Sequence, residues 1–277
     1  MVEVIKDMSD KDYFAIDAVN ASTLKAMVNP EKAQYQKLNP VHSDAFALGT
    51  DFHALVLQGK EPADSDDVAV SPFDAFRTNE AKAWKAEQLA AGKNILKAAE
   101  VESYTNDLKQ MADSVYMLDD FVDEMNATQG SREVVILWER RLGDAMVKCK
   151  AKLDLFNPNG YFVYDLKTCA DLAKFDRDAL NYGYYISAAW YLEAAKEAGA
   201  DALGFRFAVA GKGKPYQSAL RTCPEKLIDV GKCEIETYLE YYVGCKAAGV
   251  WPSPYSTDAE MMEVPGYFWS QKGVKFE

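Results

Sequence analysis

The sequence predicts an α/β fold: a mixed sheet of about five strands flanked by helices, with a helical extension at the N-terminal end. Three observations predict it. The first 130 residues carry apolar positions at helical spacing and little β-branched patterning. At Ser131 the character changes to consecutive bulky, alternating segments separated by turn residues. After residue 175, long helical patterns enclose two further strand-like runs. The 277 residues are ordinary globular material, 49% hydrophobic and 27% charged. That length suits one large domain or two small ones.

The elements follow in order. Residues 1–18 read as an acidic, poorly patterned lead-in. Asn20-Ala21-Ser22 caps a short helix from Thr23 to about Asn29, and Pro30 interrupts it. Pro30-Glu31 restarts a helix through Tyr35 and Leu38. Leu48, Phe52, Leu55 and Val56 make a helix of Phe46 to Leu57. Residues 59–73 read as a loop, and Glu80 to about Asp123 as long helices that break near Ala91-Gly92. Val134-Val135-Ile136-Leu137-Trp138 is a strand, Arg141-Leu142-Gly143-Asp144 a turn, and Ala145 to Phe156 a second, alternating strand. Asn157-Pro158-Asn159-Gly160 is a turn leading to a third strand, Tyr161 to Lys167, which predicts an antiparallel meander. Phe175 to Ala198 reads as the longest helix, closed by Gly199. Leu203 to Ala210 and Tyr216 to Arg221 read as strands around Gly211-Lys212-Gly213-Lys214. Pro224 opens a final helix to about Ala248, and an irregular aromatic tail follows Trp251. The division expected is 1–130 helical, 131–250 core and 251–277 tail, integrated as one domain.

Composition excludes several classes. No run of about 18 apolar residues occurs, so no membrane span is expected. The start, Met1-Val2-Glu3-Val4-Ile5-Lys6, does not read as a secretory signal. Cys149, Cys169, Cys223, Cys233 and Cys245 include no C-x₂-C pair, which argues against zinc or iron–sulfur ligation and for a reducing, cytoplasmic setting. The net charge is −12, yet it is unevenly spread. Residues 1–131 carry a net −11, while 132–152 carry +3 and 204–226 carry +4. The two basic segments flank the candidate site below. They nominate Lys148, Lys150, Lys152, Lys212 and Lys214 as a nucleic-acid track.

The chemistry-bearing pattern is Asp154 followed by Asp165-Leu166-Lys167. On a strand, Asp165 and Lys167 share one face and Leu166 takes the other. The turn at 157–160 brings Asp154 alongside. Two adjacent carboxylates repel unless a cation lies between them. A hard divalent ion with oxygen ligands is the natural occupant. It would lower the pKa of a bound water, and the Lys167 ammonium would stabilise charge developing on a phosphate. Taken alone, D-x-K is as readily a surface ion pair worth little.

The wider set is more specific. Gly49-Thr50-Asp51-Phe52-His53-Ala54-Leu55-Val56-Leu57, Glu133, Lys150-Ala151-Lys152-Leu153-Asp154, Asp165-Leu166-Lys167-Thr168 and Tyr182-Gly183-Tyr184 occur in that order. This series resembles the RecE-type (exonuclease VIII-like) branch of the PD-(D/E)xK nucleases, found in phages and prophages. The resemblance runs from about Ala21 to Tyr191 and more loosely to about Val250. It implies a restriction-endonuclease-like core and Mg²⁺-dependent hydrolysis of linear duplex DNA from its 5′ ends, with Mn²⁺ able to substitute. It also implies a ring-like homo-oligomer, and a single-strand annealing recombinase as partner for the 3′ tails, in a bacterial or phage-infected cell. It makes His53, Glu133, Asp154, Asp165 and the Leu166 carbonyl metal ligands, and Lys167 the catalytic lysine. Tyr182 and Tyr184 fall at the family's two tyrosines. The family has Gln three residues after the second; here Ser187 stands there, and its shorter side chain is expected to weaken substrate positioning or pass the role to Tyr184. Another nuclease on the same core, endonucleolytic or specific for single strands, and a catalytically weakened DNA-binding scaffold remain the alternatives.

Overall fold

The computed structural model describes residues 2–39, 44–65, 68–128, 131–256 and 258. The N-terminal part holds β1 (Glu3–Ile5), α1 (Asp10–Ala15), α2 (Ala21–Ala26), α3 (Pro30–Leu38) and α4 (Asp44–His53). A π-helical turn, Ala54–Gln58, continues α4. Then come β2 (Val68–Ser71), α5 (Asn79–Ala90), β3 (Asn94–Lys97), α6 (Ala98–Val115) and α7 (Asp119–Ala127). The remainder is β4 (Arg132–Leu142), β5 (Ala145–Leu155), β6 (Phe162–Cys169), α8 (Phe175–Asn181), α9 (Tyr184–Glu197), β7 (Gly204–Gly211), β8 (Ser218–Cys223) and α10 (Glu225–Ala248).

The expected α/β architecture is present, with helices on both faces of a mixed sheet. One ladder runs β1-β4-β5, all antiparallel, and another runs β6-β7-β8. Within the second, β6 and β7 are parallel and β7 and β8 antiparallel. Alternation along the strands divides the core. Val163, Phe205, Phe207 and Val209 face one apolar cluster, with Leu24, Trp138, Leu153 and Trp190. Tyr164, Leu166, Ala208 and Ala210 face the other, with Phe52, Leu108, Met111 and Phe121. Strands covered on both sides read as near-continuous apolar runs, as β4 and β7 do.

Several expectations are corrected. The meander stops at β5: β4 and β5 form the antiparallel hairpin, but β5 and β6 share no ladder. Instead the Leu166 N–H donates to the Asp154 carboxylate at 2.6 Å. The lead-in contains β1 and α1, and the stretch read as loop and helix contains β2 and β3, which pair in parallel as a separate ribbon. These strands have four residues or fewer, too short for alternation to register. The helix expected from Phe175 to Ala198 is two, broken at Tyr182-Gly183. Gly183 takes a left-handed φ of 62° that a side-chain-bearing residue adopts only with strain. The longest helix is α10, whose Gly231 lets α9 approach closely: a Cβ there would lie 2.6 Å from the Tyr185 carbonyl oxygen.

Candidate active site

An open cleft of about 1700 Å³ lies against the seam between β5 and β6. Asp154, Asp165 and Lys167 line it, with His53, Tyr184 and Glu133. Each is brought there by a different element. His53 ends α4, where the helix widens into the π-turn whose Leu55, Val56 and Leu57 are buried. Asp51, two residues earlier, is buried and accepts hydrogen bonds from Asn94 Nδ2 at 2.8 Å and from the Tyr104 hydroxyl at 2.7 Å, tying α4 to β3 and α6. Asp154 comes from β5, and Asp165 and Lys167 from β6, on the strand face opposite Leu166.

The charged groups form an alternating chain. His53 Nδ1 is 3.6 Å from Asp154 Oδ1, and Asp154 Oδ2 accepts the Leu166 N–H. Lys167 Nζ is 2.5 Å from Asp165 Oδ2 and 3.4 Å from the Leu166 carbonyl oxygen. Burial pushes the Asp154 carboxyl up, but His53, Lys167 and the Leu166 N–H together outweigh it and hold it down at about 2. Burial lowers His53, yet the Asp154 charge raises it overall. Asp165 is raised, by burial first and then by Asp154, against the pull of Lys167. Lys167 is held up by Asp165 and Asp154 despite its burial. Two carboxylates with opposed environments and a shared ammonium are the mark of a site tuned for chemistry.

Among the described residues, no three His, Cys, Asp or Glu side chains form a ready-made metal cage. Mg²⁺ does not require one, since it binds through one or two carboxylates and keeps several waters. Asp154, Asp165 and the Leu166 carbonyl supply that kind of oxygen set. Among the described residues, Asp165 Oδ2 is buried without a well-aligned hydrogen bond and lies 2.5 Å from the Lys167 ammonium. An acceptor so placed fits a cation. His53 Nδ1 faces Asp154, and Glu133 Oε1 is 3.1 Å from Lys152 Nζ. Both His53 and Glu133 line the same cleft as Asp154 and Asp165. Glu133 also has a left-handed φ of 50°, a conformation that costs a non-glycine residue about 1–3 kcal/mol and gathers at functional sites.

The expected lysine track separates. Lys150 is 4% exposed, and its ammonium donates to the carbonyls of Tyr13 and Ile16, both at 2.8 Å. It is a structural clamp on the N-terminal segment, not a DNA contact. The local reason is that Val19 adds to β5 as an isolated parallel bridge and covers this stretch of the strand. Lys152 reaches the cleft but is paired with Asp10 at 2.7 Å and with Glu133. Lys148 is exposed on β5, Lys212 lines the cleft, and Lys214 pairs with Asp107 at 3.2 Å away from the lining.

Tyr184 stands beside the centre, with Lys167 Nζ 5.7 Å from its ring centroid. Tyr182 lies at the cleft and is exposed, and Thr168 also lines it. Ser187 is buried in α9 and does not line the cleft. A residue the sequence did not nominate is Lys25 of α2, whose Nζ is 5.3 Å from the Tyr184 ring centroid. Its only sequence signal is a lysine on a short helix between two core residues, Leu24 and Met27.

A solved structure shares this architecture. A crystal structure named "Putative exonuclease", from Eubacterium rectale, superposes with a TM-score of 0.59 at 15% identity, covering 96% of this chain and 98% of its own. A phage-related exonuclease from Haemophilus somnus 129PT aligns more loosely, with a TM-score of 0.30 at 12% identity over 86% of this chain and 99% of its own. No curated protein gives a significant match. No described helix is long and apolar enough to cross a membrane. Residues 20–264 match the family described as a PDDEXK-like domain of unknown function (DUF3799), and the chain belongs to that family.

Proposed function

We propose that this protein is a Mg²⁺-dependent exodeoxyribonuclease of RecE type that degrades linear duplex DNA in the 5′-to-3′ direction and leaves 3′ single-stranded tails for recombination or repair. The observation that carries the reading is the chain His53–Asp154–Asp165–Lys167 set across an unladdered seam at an open cleft. Family membership and the fold shared with an exonuclease-named structure support it.

Asp154, Asp165 and the Leu166 carbonyl would hold the metal. When bound, Mg²⁺ lowers the pKa of a coordinated water and neutralises the scissile phosphate. The chain's own groups do the rest. Lys167 orients the attacking water and offsets the charge that grows on the phosphate oxygens. Asp165 keeps Lys167 protonated. Asp154 fixes the Leu166 amide, and so the backbone that carries both neighbours. His53 keeps Asp154 ionised. A ring-like homo-oligomer would let a chain of net charge −12 present its basic segments inward, where an annealing recombinase could receive the tail.

Digestion of linear and covalently closed circular duplex with Mg²⁺ tests the exonuclease assignment. Shortening of the linear form with the circle left intact is expected. Cutting of the circle would make the enzyme an endonuclease instead.

A further inference from the structure

We propose that Lys25 binds a backbone phosphate of the nucleic acid in the cleft, beside the phosphate that meets Lys167, and so sets the position of the strand. The assignment rests on the reading of the cleft as a nuclease site.

Lys25 lines the same cleft as Asp165 and Lys167. Its aliphatic stem is seated in a prepared place. A Cβ on Gly183 would meet the Lys25 Cδ at 3.3 Å and Cγ at 3.4 Å, so the glycine that breaks α8 from α9 also admits this side chain. The two ammoniums of Lys25 and Lys167 both lie near the ring of Tyr184, at 5.3 and 5.7 Å from its centroid.

Lys25 is without a counter-charge among the described residues, where it makes no ion pair. The acid that attracts it, Asp165, is already engaged by Lys167 at 2.5 Å. At this half-buried place on the cleft wall a cation–π contact recovers only about 0.5–1 kcal/mol. Burial and then the like charge of Lys167 push the Lys25 ammonium down to about 8. A structural lysine has no reason to sit there, as Lys150 shows by contrast with its two carbonyl partners. The missing partner is anionic and comes with the substrate. A phosphodiester, singly charged and rich in acceptors, fits a compact ammonium.

The test is binding without metal or turnover. Fluorescence anisotropy in EDTA would compare wild type, Lys25→Ala, Lys25→Met and Lys25→Arg on a labelled duplex bearing 5′-phosphates and on the same duplex with 5′-hydroxyls. Thermal melts confirm folding, and Lys82→Ala, an exposed lysine of α5, serves as the charge control. Lys25→Ala and Lys25→Met should bind about tenfold more weakly, with the salt slope reduced by about 1, while Lys25→Arg retains most of the affinity. A loss confined to the 5′-phosphorylated duplex identifies the terminal phosphate as the ligand. An equal loss on both identifies an internal one. Unchanged affinity and salt slope in folded Lys25→Ala and Lys25→Met, or a loss no larger than that of Lys82→Ala, overturns the proposal. Because the readout needs no cleavage, a wild type that binds through Lys25 yet hydrolyses nothing would defeat the nuclease reading alone.

Discussion

The Asp154 carboxylate accepts the main-chain N–H of Leu166 at 2.6 Å, at the place where the β4–β5 hairpin and the β6-β7-β8 ladder meet without pairing. A side chain here does what a neighbouring strand's carbonyl does elsewhere. Asp165 and Lys167, on the β6 side of the seam, line the cleft beside Asp154.

That relationship separates two substitutions. Asp154→Asn keeps an acceptor for the Leu166 N–H but removes the charge that faces His53 and Lys167. Asp154→Ala removes both and leaves a largely buried donor unsatisfied, at a cost of about 1–3 kcal/mol. Both variants should lose cleavage by at least about 100-fold. Denaturant unfolding should show Asp154→Asn closer to wild type and Asp154→Ala clearly less stable. Equal stability of the two would mean that the 2.6 Å contact does not hold the seam.

Lys25 predicts a pH-dependent stability of unusual sign. Its folded pKa, about 8, lies below the ordinary lysine value of 10.5. Between those values the unfolded chain binds more protons, so stability rises with pH from about 8 to about 10.5. Below 8 the full penalty is present. Lys25→Met should therefore be more stable than wild type at pH 7, by on the order of 1–3 kcal/mol, with the gap closing as pH approaches 10.5. Unfolding of DNA-free, metal-free protein across that range checks it. A constant difference between the two proteins would show that Lys25 is not destabilised by its setting.

Lys150 should behave in the opposite way. Lys150→Ala removes the charged donor shared by the carbonyls of Tyr13 and Ile16, which keep only backbone N–H partners, and empties a buried volume, with a loss of about 2–4 kcal/mol. The salt dependence of DNA binding, measured at a temperature where the variant is folded, should keep its slope. A slope reduced by about 1 would return Lys150 to the DNA track.

Much of this was legible in the sequence because the signals were local and long. The β4–β5 hairpin, β6 and α10 are extended patterned runs with clear turns, and the shared face of Asp165 and Lys167 follows from strand alternation. What stayed hidden depends on tertiary placement. Lys148, Lys150 and Lys152 look equivalent in a basic strand. Only the docking of Val19 on β5 and of Asp10 near Lys152 makes one internal, one paired and one exposed. The β5–β6 seam was read as a ladder because a turn signal says that two strands are adjacent, not that their backbones pair. Lys25 carries no motif; its significance arises from Gly183 and Tyr184, more than 150 residues away.

Ser187 illustrates the same limit from the other side. The sequence offers it as a shortened substrate contact, but the structure buries it in α9 at 4% exposure. Ser187→Gln should overpack that position and cost about 1–3 kcal/mol without raising activity. A Ser187→Gln protein with wild-type stability and faster turnover would show that the side chain can reach the substrate after all.

We propose Lys167, held by Asp165 beside Asp154, as the catalytic ammonium of a metal-dependent nuclease. End-labelled linear duplex incubated with Mg²⁺, comparing wild type with Lys167→Ala, tests it most directly. Release of label by wild type with Mg²⁺ and not in EDTA, slowed by at least about 100-fold in a folded Lys167→Ala, is the predicted result. No Mg²⁺-dependent cleavage by wild type, or equal cleavage by the two proteins, would contradict it.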